Sequence, residues 1–144
     1  TFALCEDKDD YFVVASRLVP YKRIDLVVDA FARMPNRKLI VAGDGPELPA
    51  LKAIAGPNVQ FAGHLPRAEL IRTMQQARAL IFAAYEDFGI VLAEAQAAGT
   101  PVIAYHRGGA RDIVVPLGEP DPTGFLFPHQ TAESIVEAVD TFLA

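Results

Sequence analysis

Apolar positions in this chain follow two patterns, which alternate along its length. One is the short unbroken run, and the other is the stripe spaced for a helix. Tyr11–Ser16 (YFVVAS) is short, β-branched and aromatic without alternation, which predicts a strand buried on both faces. After Pro20, residues Ile24, Val27, Val28, Phe31 and Met34 recur at helical spacing and make one apolar stripe, ended by Pro35-Asn36. Lys38–Ala42 (KLIVA) predicts a second buried strand, closed by Gly43-Asp44-Gly45-Pro46. A helix over Glu47–Ala55 and a short strand over Asn58–Ala62 follow. Pro66 then precedes a helix over Ala68–Gln76, and Ala79–Ala83 (ALIFA) is a fourth strand. Gly89–Ala98 is an almost wholly apolar helix with Gly99 as its C-cap. Pro101–Ala104 is a fifth strand. A Gly108-Gly109 turn leads to a short helix near Ala110–Val114, and Gly124–Phe127 is a sixth strand. Thr131 caps a last helix through Leu143, with Ile135, Ala138, Val139 and Phe142 on one face.

Six strands alternating with helices, the strands apolar throughout, predict an α/β fold. It is a Rossmann-like, doubly wound parallel sheet with helices on both faces and right-handed crossovers. Such sheets bind ligands beyond the carboxyl ends of their strands, where the strand order reverses. The loops that follow the strands are therefore where chemistry is expected. There is no internal repeat, low-complexity tract or linker, and residues 1–144 read as one domain.

Composition adds limits. Hydrophobic residues make up 51% and charged residues 22%, a balance that can build a core. The net charge of −5 disfavours nucleic acid as a partner. The lone Cys5 cannot form an internal disulfide, which fits a reduced, cytoplasmic setting. The first ten residues lack the apolar run of a signal peptide, and no apolar stretch nears the roughly 20 residues needed to span a bilayer. A first residue other than Met and an end inside a helical pattern suggest a piece of a longer protein.

Two acids stand out, Glu86 in the loop after the fourth strand and Glu94 on the apolar helix that follows. A carboxylate on a buried helix is costly unless paired or hydrogen-bonded. Either Glu94 points out of a solvated edge, with Glu86 and Asp87 favouring the helix N-terminus, or both serve a ligand. The start of that helix near Gly89 offers free N–H groups to an anion, and carboxylates on either side would suit the hydroxyls of sugars. The cations for a phosphate are Arg17 and Lys22, around the turn after the first strand, although an ordinary solvated basic loop reads the same way.

Four motifs occur in order: Arg17-Leu18-Val19-Pro20-Tyr21-Lys22 with Ile24-Asp25-Leu26, then Ala42-Gly43-Asp44-Gly45-Pro46, then Glu86-x-Phe88-Gly89, then Glu94. Together they resemble the C-terminal, donor-binding domain of family 4 retaining glycosyltransferases (glycosyl transferases group 1), enzymes of two Rossmann-like domains in the GT-B arrangement. The resemblance covers about residues 11 to 143. It implies transfer of a hexose from a nucleoside diphosphate sugar to an acceptor hydroxyl with retention, Arg17, Lys22 and Glu86 being the catalytic set. Arg17 and Lys22 would hold the diphosphate, Glu94 the ribose hydroxyls and Glu86 the hydroxyls of the transferred sugar. Backbone groups of Phe88, Gly89 and Ile90 would meet sugar and phosphate, and Gly63-His64-Leu65 would read the base.

Growing charge on the leaving diphosphate would be met by Arg17, Lys22 and the helix end at Gly89, with no metal or cofactor required. The resemblance implies a GDP-, UDP- or ADP-hexose as the donor. The run Glu86–Ile90 with Tyr105 and the Gly-Gly turn resembles mannosyltransferases that use GDP-mannose. An N-terminal acceptor domain of the same enzyme is the expected partner. The full-length protein is expected in the cytoplasm, with peripheral association at the inner membrane face.

Two departures from the family pattern are visible. Ser16 stands where Gly often precedes the Arg, and Asp112 where Glu is frequent, which leaves a role for Asp112 open. His64 reads first as a surface residue, His106 and Arg107 could face the sugar, and His129 has no assigned role. Gly43 and Gly45 fit a tight turn better than a phosphate nest, having no third Gly. Two rival readings remain. A nicotinamide-dinucleotide domain would need GxGxxG after the first strand, where Ala15-Ser16-Arg17-Leu18-Val19-Pro20 stands. A non-catalytic nucleotide-binding or regulatory module would keep Arg17 and Glu94 without needing Glu86.

Overall fold

All five residues of strand β1 (Tyr11–Ala15) are buried, because the alternation of side chains sends them into two different cores. Phe12 and Val14 join one cluster with Val28 and Phe31 of helix α1 (Ile24–Ala32), Leu51 of α2 (Leu48–Ile54) and Ile135 and Val139 of α4 (Ala132–Leu143). Tyr11, Val13 and Ala15 join the other, with Met74 of α3 (Arg67–Gln76). An unbroken apolar run is thus the signature of a strand covered on both sides. The computed structural model from which this follows describes residues 10–84, 99–105 and 124–143.

The other strands are β2 (Lys38–Ala42), β3 (Val59–Gly63), β4 (Leu80–Phe82), β5 (Val102–Tyr105) and β6 (Gly124–Phe127). They form one six-stranded sheet in the order β3-β2-β1-β4-β5-β6, and every pairing is parallel. The chain lays β2 and β3 to one side of β1, then returns to lay β4, β5 and β6 on the other. The order therefore reverses between β1 and β4, where Val13 pairs with Leu80.

Helices α1 and α4 share one face of the sheet. Phe12 meets Phe31 at 5.6 Å and Phe142 at 6.3 Å between ring centroids, tilted and edge-on, the arrangements aromatic rings prefer. At the rim, Arg33 Nη1 donates to Glu133 Oε1 at 2.8 Å, and the same guanidinium reaches Asp29 one turn back. The expected cap on α4 is present, since the N–H of Ser134 donates to Thr131 Oγ1 at 3.1 Å.

Boundaries differ slightly from the sequence expectation. The helical stripe runs to Met34, but α1 ends at Ala32 and Met34 is buried in the turn beyond it. The side chain of Asn58 accounts for that turn. Its Nδ2 donates to the carbonyls of Phe31, Met34 and Arg37 at 2.7, 3.2 and 2.7 Å, so a residue placed at the start of the third strand caps the end of the first helix. The expected helix over 89–98, the Gly108-Gly109 turn and the helix near 110–114 lie outside the described residues.

Candidate functional site

The loops after β1, β2 and β3 are joined by backbone hydrogen bonds at the carboxyl edge of the sheet. The N–H of Ser16 donates to Ala42 O and that of Leu18 to Asp44 O, both at 3.0 Å. Leu18 returns a bond, its carbonyl accepting from the N–H of Glu47 at 3.1 Å. The N–H of Gly43 donates to Gly63 O at 2.8 Å. The candidate base-reading loop, Gly63-His64-Leu65, is thereby tied through Gly43 to the basic loop after β1.

Gly43 is indispensable to this arrangement. Its φ is 141°, and a Cβ there would overlap the carbonyl oxygen of Ser16. A Cβ on Gly45 would come within 2.5 Å of Leu18 O. The two glycines let β2's loop lie flat against β1's, which assigns them to backbone approach rather than to a phosphate nest.

The loop after β1 carries the cations. Arg17 is exposed, and among the described residues no carboxylate pairs with it. Lys22 ends a short 3-10 turn, Pro20–Lys22, whose proline occupies the first turn and whose Lys22 N–H donates to Val19 O at 3.1 Å. The Lys22 ammonium lies 5.2 Å from the ring centroid of Tyr21, itself 62% exposed. Both cations therefore follow β1 at the point where strand order reverses. His64 is exposed and Leu65 half-buried. Glu86, Phe88, Gly89, Ile90 and Glu94 lie outside the described residues, as do Cys5, His106, Arg107 and Asp112.

Two features of this edge had no sequence signal. Arg23 adopts a left-handed conformation and forks onto Asp25. Gln130, in the loop after β6, donates through Nε2 to Ala83 O at 2.9 Å and so fixes the exit of β4 from the far side of β5. Neither spacing nor hydropathy marks such residues, because their partners are chosen by the turn and the sheet order. Among the described residues, no group of three or more His, Cys, Asp or Glu could hold a metal ion, and no helix is long and apolar enough to cross a membrane.

The displaced titrations lie on the flank of the sheet, between α1 and α4. The carboxyl of Glu133 is held below its ordinary range by its own backbone N–H and then by the Arg33 guanidinium. Arg33 is raised in turn by Glu133 and Asp29.

The fold agrees with a family comparison. The pattern of glycosyl transferases group 1 matches residues 3–144. The chain belongs to this family. A GDP-mannose-dependent monoacylated alpha-(1-6)-phosphatidylinositol monomannoside mannosyltransferase of Corynebacterium glutamicum is 36% identical over 116 residues, covering 70% of this chain and 30% of that protein. The sulfoquinovosyl transferase SQD2 of Arabidopsis thaliana is 29% identical over 140 residues, 96% of this chain and 27% of its own length. Among solved structures, HepE of Anabaena in complex with UDP and glucose superposes with a TM-score of 0.77 at 27% identity, over 94% of this chain and 39% of HepE. Sucrose-phosphate synthase from Thermosynechococcus elongatus gives 0.80 at 30% identity, over 94% of this chain and 36% of that one. This group 1 domain thus has the Rossmann-like fold of GT-B glycosyltransferases, and it spans about a third of the length of these relatives.

Proposed function

We propose that this glycosyl transferases group 1 domain is the donor-binding half of a retaining hexosyltransferase, acting with an N-terminal acceptor domain. The observation that carries the reading is the placement of Arg17 and Lys22 directly after β1, at the reversal of a 3-2-1-4-5-6 sheet. In the proposed complex these two cations hold the diphosphate of a nucleoside diphosphate sugar. As the bond from the sugar to the diphosphate breaks, negative charge grows on the leaving oxygens, and fixed cations stabilise it more than they stabilise the ground state. Gly63-His64-Leu65 meets the base, Glu94 the ribose hydroxyls and Glu86 the sugar hydroxyls, with backbone groups of Phe88, Gly89 and Ile90 beside sugar and phosphate. Catalysis is assigned to Arg17, Lys22 and Glu86.

Mannose and GDP are the favoured donor pair, because several of the relatives are GDP-mannose-dependent mannosyltransferases. UDP is the competing nucleotide, since HepE was solved with UDP and with UDP-glucose. The proposed setting is the cytoplasm, with the whole enzyme at the inner membrane face; relatives named for a phosphatidylinositol monomannoside favour contact with a membrane and leave its face open.

Calorimetric titration of the chain with GDP, UDP and ADP and their mannose and glucose conjugates tests the proposal. Binding should be weak, tightest for one base, and lost in Arg17→Ala and Lys22→Ala. Unchanged isotherms for both variants would reject the phosphate assignment. Glu94→Gln should weaken nucleotide binding more than pyrophosphate binding. Sugar transfer is expected only once an acceptor domain is joined, so steady turnover by the 144 residues alone would contradict the two-domain reading.

A further inference from the structure

Among the described residues, Arg23 is the single non-glycine with positive φ, at φ 53° and ψ 39°. For an L-residue with a Cβ, this conformation is disfavoured roughly tenfold relative to the right-handed one. The residue sits at a junction. Its N–H donates to Pro20 O at 3.1 Å and closes the turn that carries Lys22, while its carbonyl accepts from the N–H of Leu26 at 3.2 Å and opens α1. One left-handed residue between two right-handed segments stops them from running on as a single helix. If Arg23 relaxed to the right-handed region, the Pro20–Lys22 turn would extend α1 backwards. Lys22 would then leave its place in the turn after β1.

The side chain of Arg23 opposes that relaxation. Its Nε and Nη2 donate to Asp25 Oδ1 and Oδ2 at 3.1 and 3.3 Å, a two-pronged contact on a residue only two positions ahead. Asp25 lies in the first turn of α1, where the helix dipole favours a carboxylate. Both partners are partly exposed, at 38% and 46%, so the pair adds little to global stability. It does not need to add much, because its task is to offset one backbone preference of similar size.

We infer that the Arg23–Asp25 fork is a positioning device: it holds the left-handed turn and so aims Lys22 at the diphosphate of a bound nucleotide. This rests on the phosphate role proposed for Lys22. Glycine takes a left-handed conformation readily, so Arg23→Gly makes the fork unnecessary. A direct phosphate contact by Arg23 gives the opposite pattern. Arg23→Gly would then lose affinity, and Asp25→Ala, by freeing the guanidinium, would gain it.

The test is calorimetric titration of the 144-residue chain with GDP, UDP and ADP. Asp25→Ala and Arg23→Ala are expected to raise Kd about three- to tenfold. Arg23→Gly keeps the wild-type Kd, and Arg23→Gly with Asp25→Ala restores it. The inference is overturned if Asp25→Ala binds as wild type, if Arg23→Gly is as weak as Arg23→Ala, or if the double variant stays as weak as Asp25→Ala. Failure of the underlying reading is seen separately, as Lys22→Ala binding like wild type. In that event the backbone carbon shifts of Arg23 decide the turn by themselves. They move towards right-handed values in Asp25→Ala if the fork holds the turn, and their staying unchanged refutes the device.

Discussion

Gly43 lies so close to the carbonyl of Ser16 that no Cβ fits between them, and its own N–H is bonded to Gly63 O at 2.8 Å. One glycine therefore sets the spacing of three loops at the carboxyl edge of the sheet. Gly43→Ala should lower stability by about 3 kcal/mol, through overpacking against backbone and an unfavourable φ. For a domain of this size, that lowers Tm by about 10 °C. Gly63→Ala is the control. It has open space around the added Cβ but a φ of 71°, so it should cost only about 1 kcal/mol. Thermal melts of the two variants check this, and equal losses would show that the Ser16 contact is relieved by a backbone shift.

Asn58 is expected to be among the most sensitive polar residues. Its amide has two hydrogens and serves three carbonyls, so one bond is shared among the acceptors beyond α1. Asn58→Ala removes a side-chain donor from all three carbonyls, of which Phe31 O and Met34 O keep the N–H groups of Met34 and Arg37, and should cost about 2 kcal/mol. Asn58→Asp should cost more, because a carboxylate would face carbonyl oxygens. Urea unfolding curves of both variants check the order, and an Asp variant as stable as wild type would refute it.

The Arg33–Glu133 contact links α1 to α4 and predicts a direction with pH. The folded-state pKa of Glu133 is depressed, so its contribution is present above the unfolded value and is lost as pH falls through the folded one. Carbon-detected NMR titration should place the Glu133 midpoint below that of a free glutamate. In Arg33→Gln the midpoint should return only part of the way, because the first cause is Glu133's own backbone N–H. A complete return would assign the whole shift to the guanidinium.

Much of the fold was legible because parallel strands covered on both faces leave unbroken apolar runs. Tyr11–Ser16, KLIVA and ALIFA were readable as strands for that reason, and Gly124–Phe127 forms at the expected residues. Helix ends were less readable. Met34 continues the apolar stripe of α1 but packs from the turn beyond it, because burial does not require helical backbone. Arg17 and Lys22 were legible as cations after a strand, and the structure places both at the edge where the order reverses.

By itself, then, the sequence determined the alternation of strands and helices, the two-sided burial of the sheet and the motif order shared with glycosyl transferases group 1. These are local properties, carried by the period of apolar residues and by short runs of side chains. Only the tertiary structure decided that β1 and β4 lie side by side. It alone set Gly43 against Ser16, made Asn58 the cap of α1 and joined Gln130 to the exit of β4. Each of those pairs is brought together by sheet order and backbone approach, which no spacing along the chain encodes.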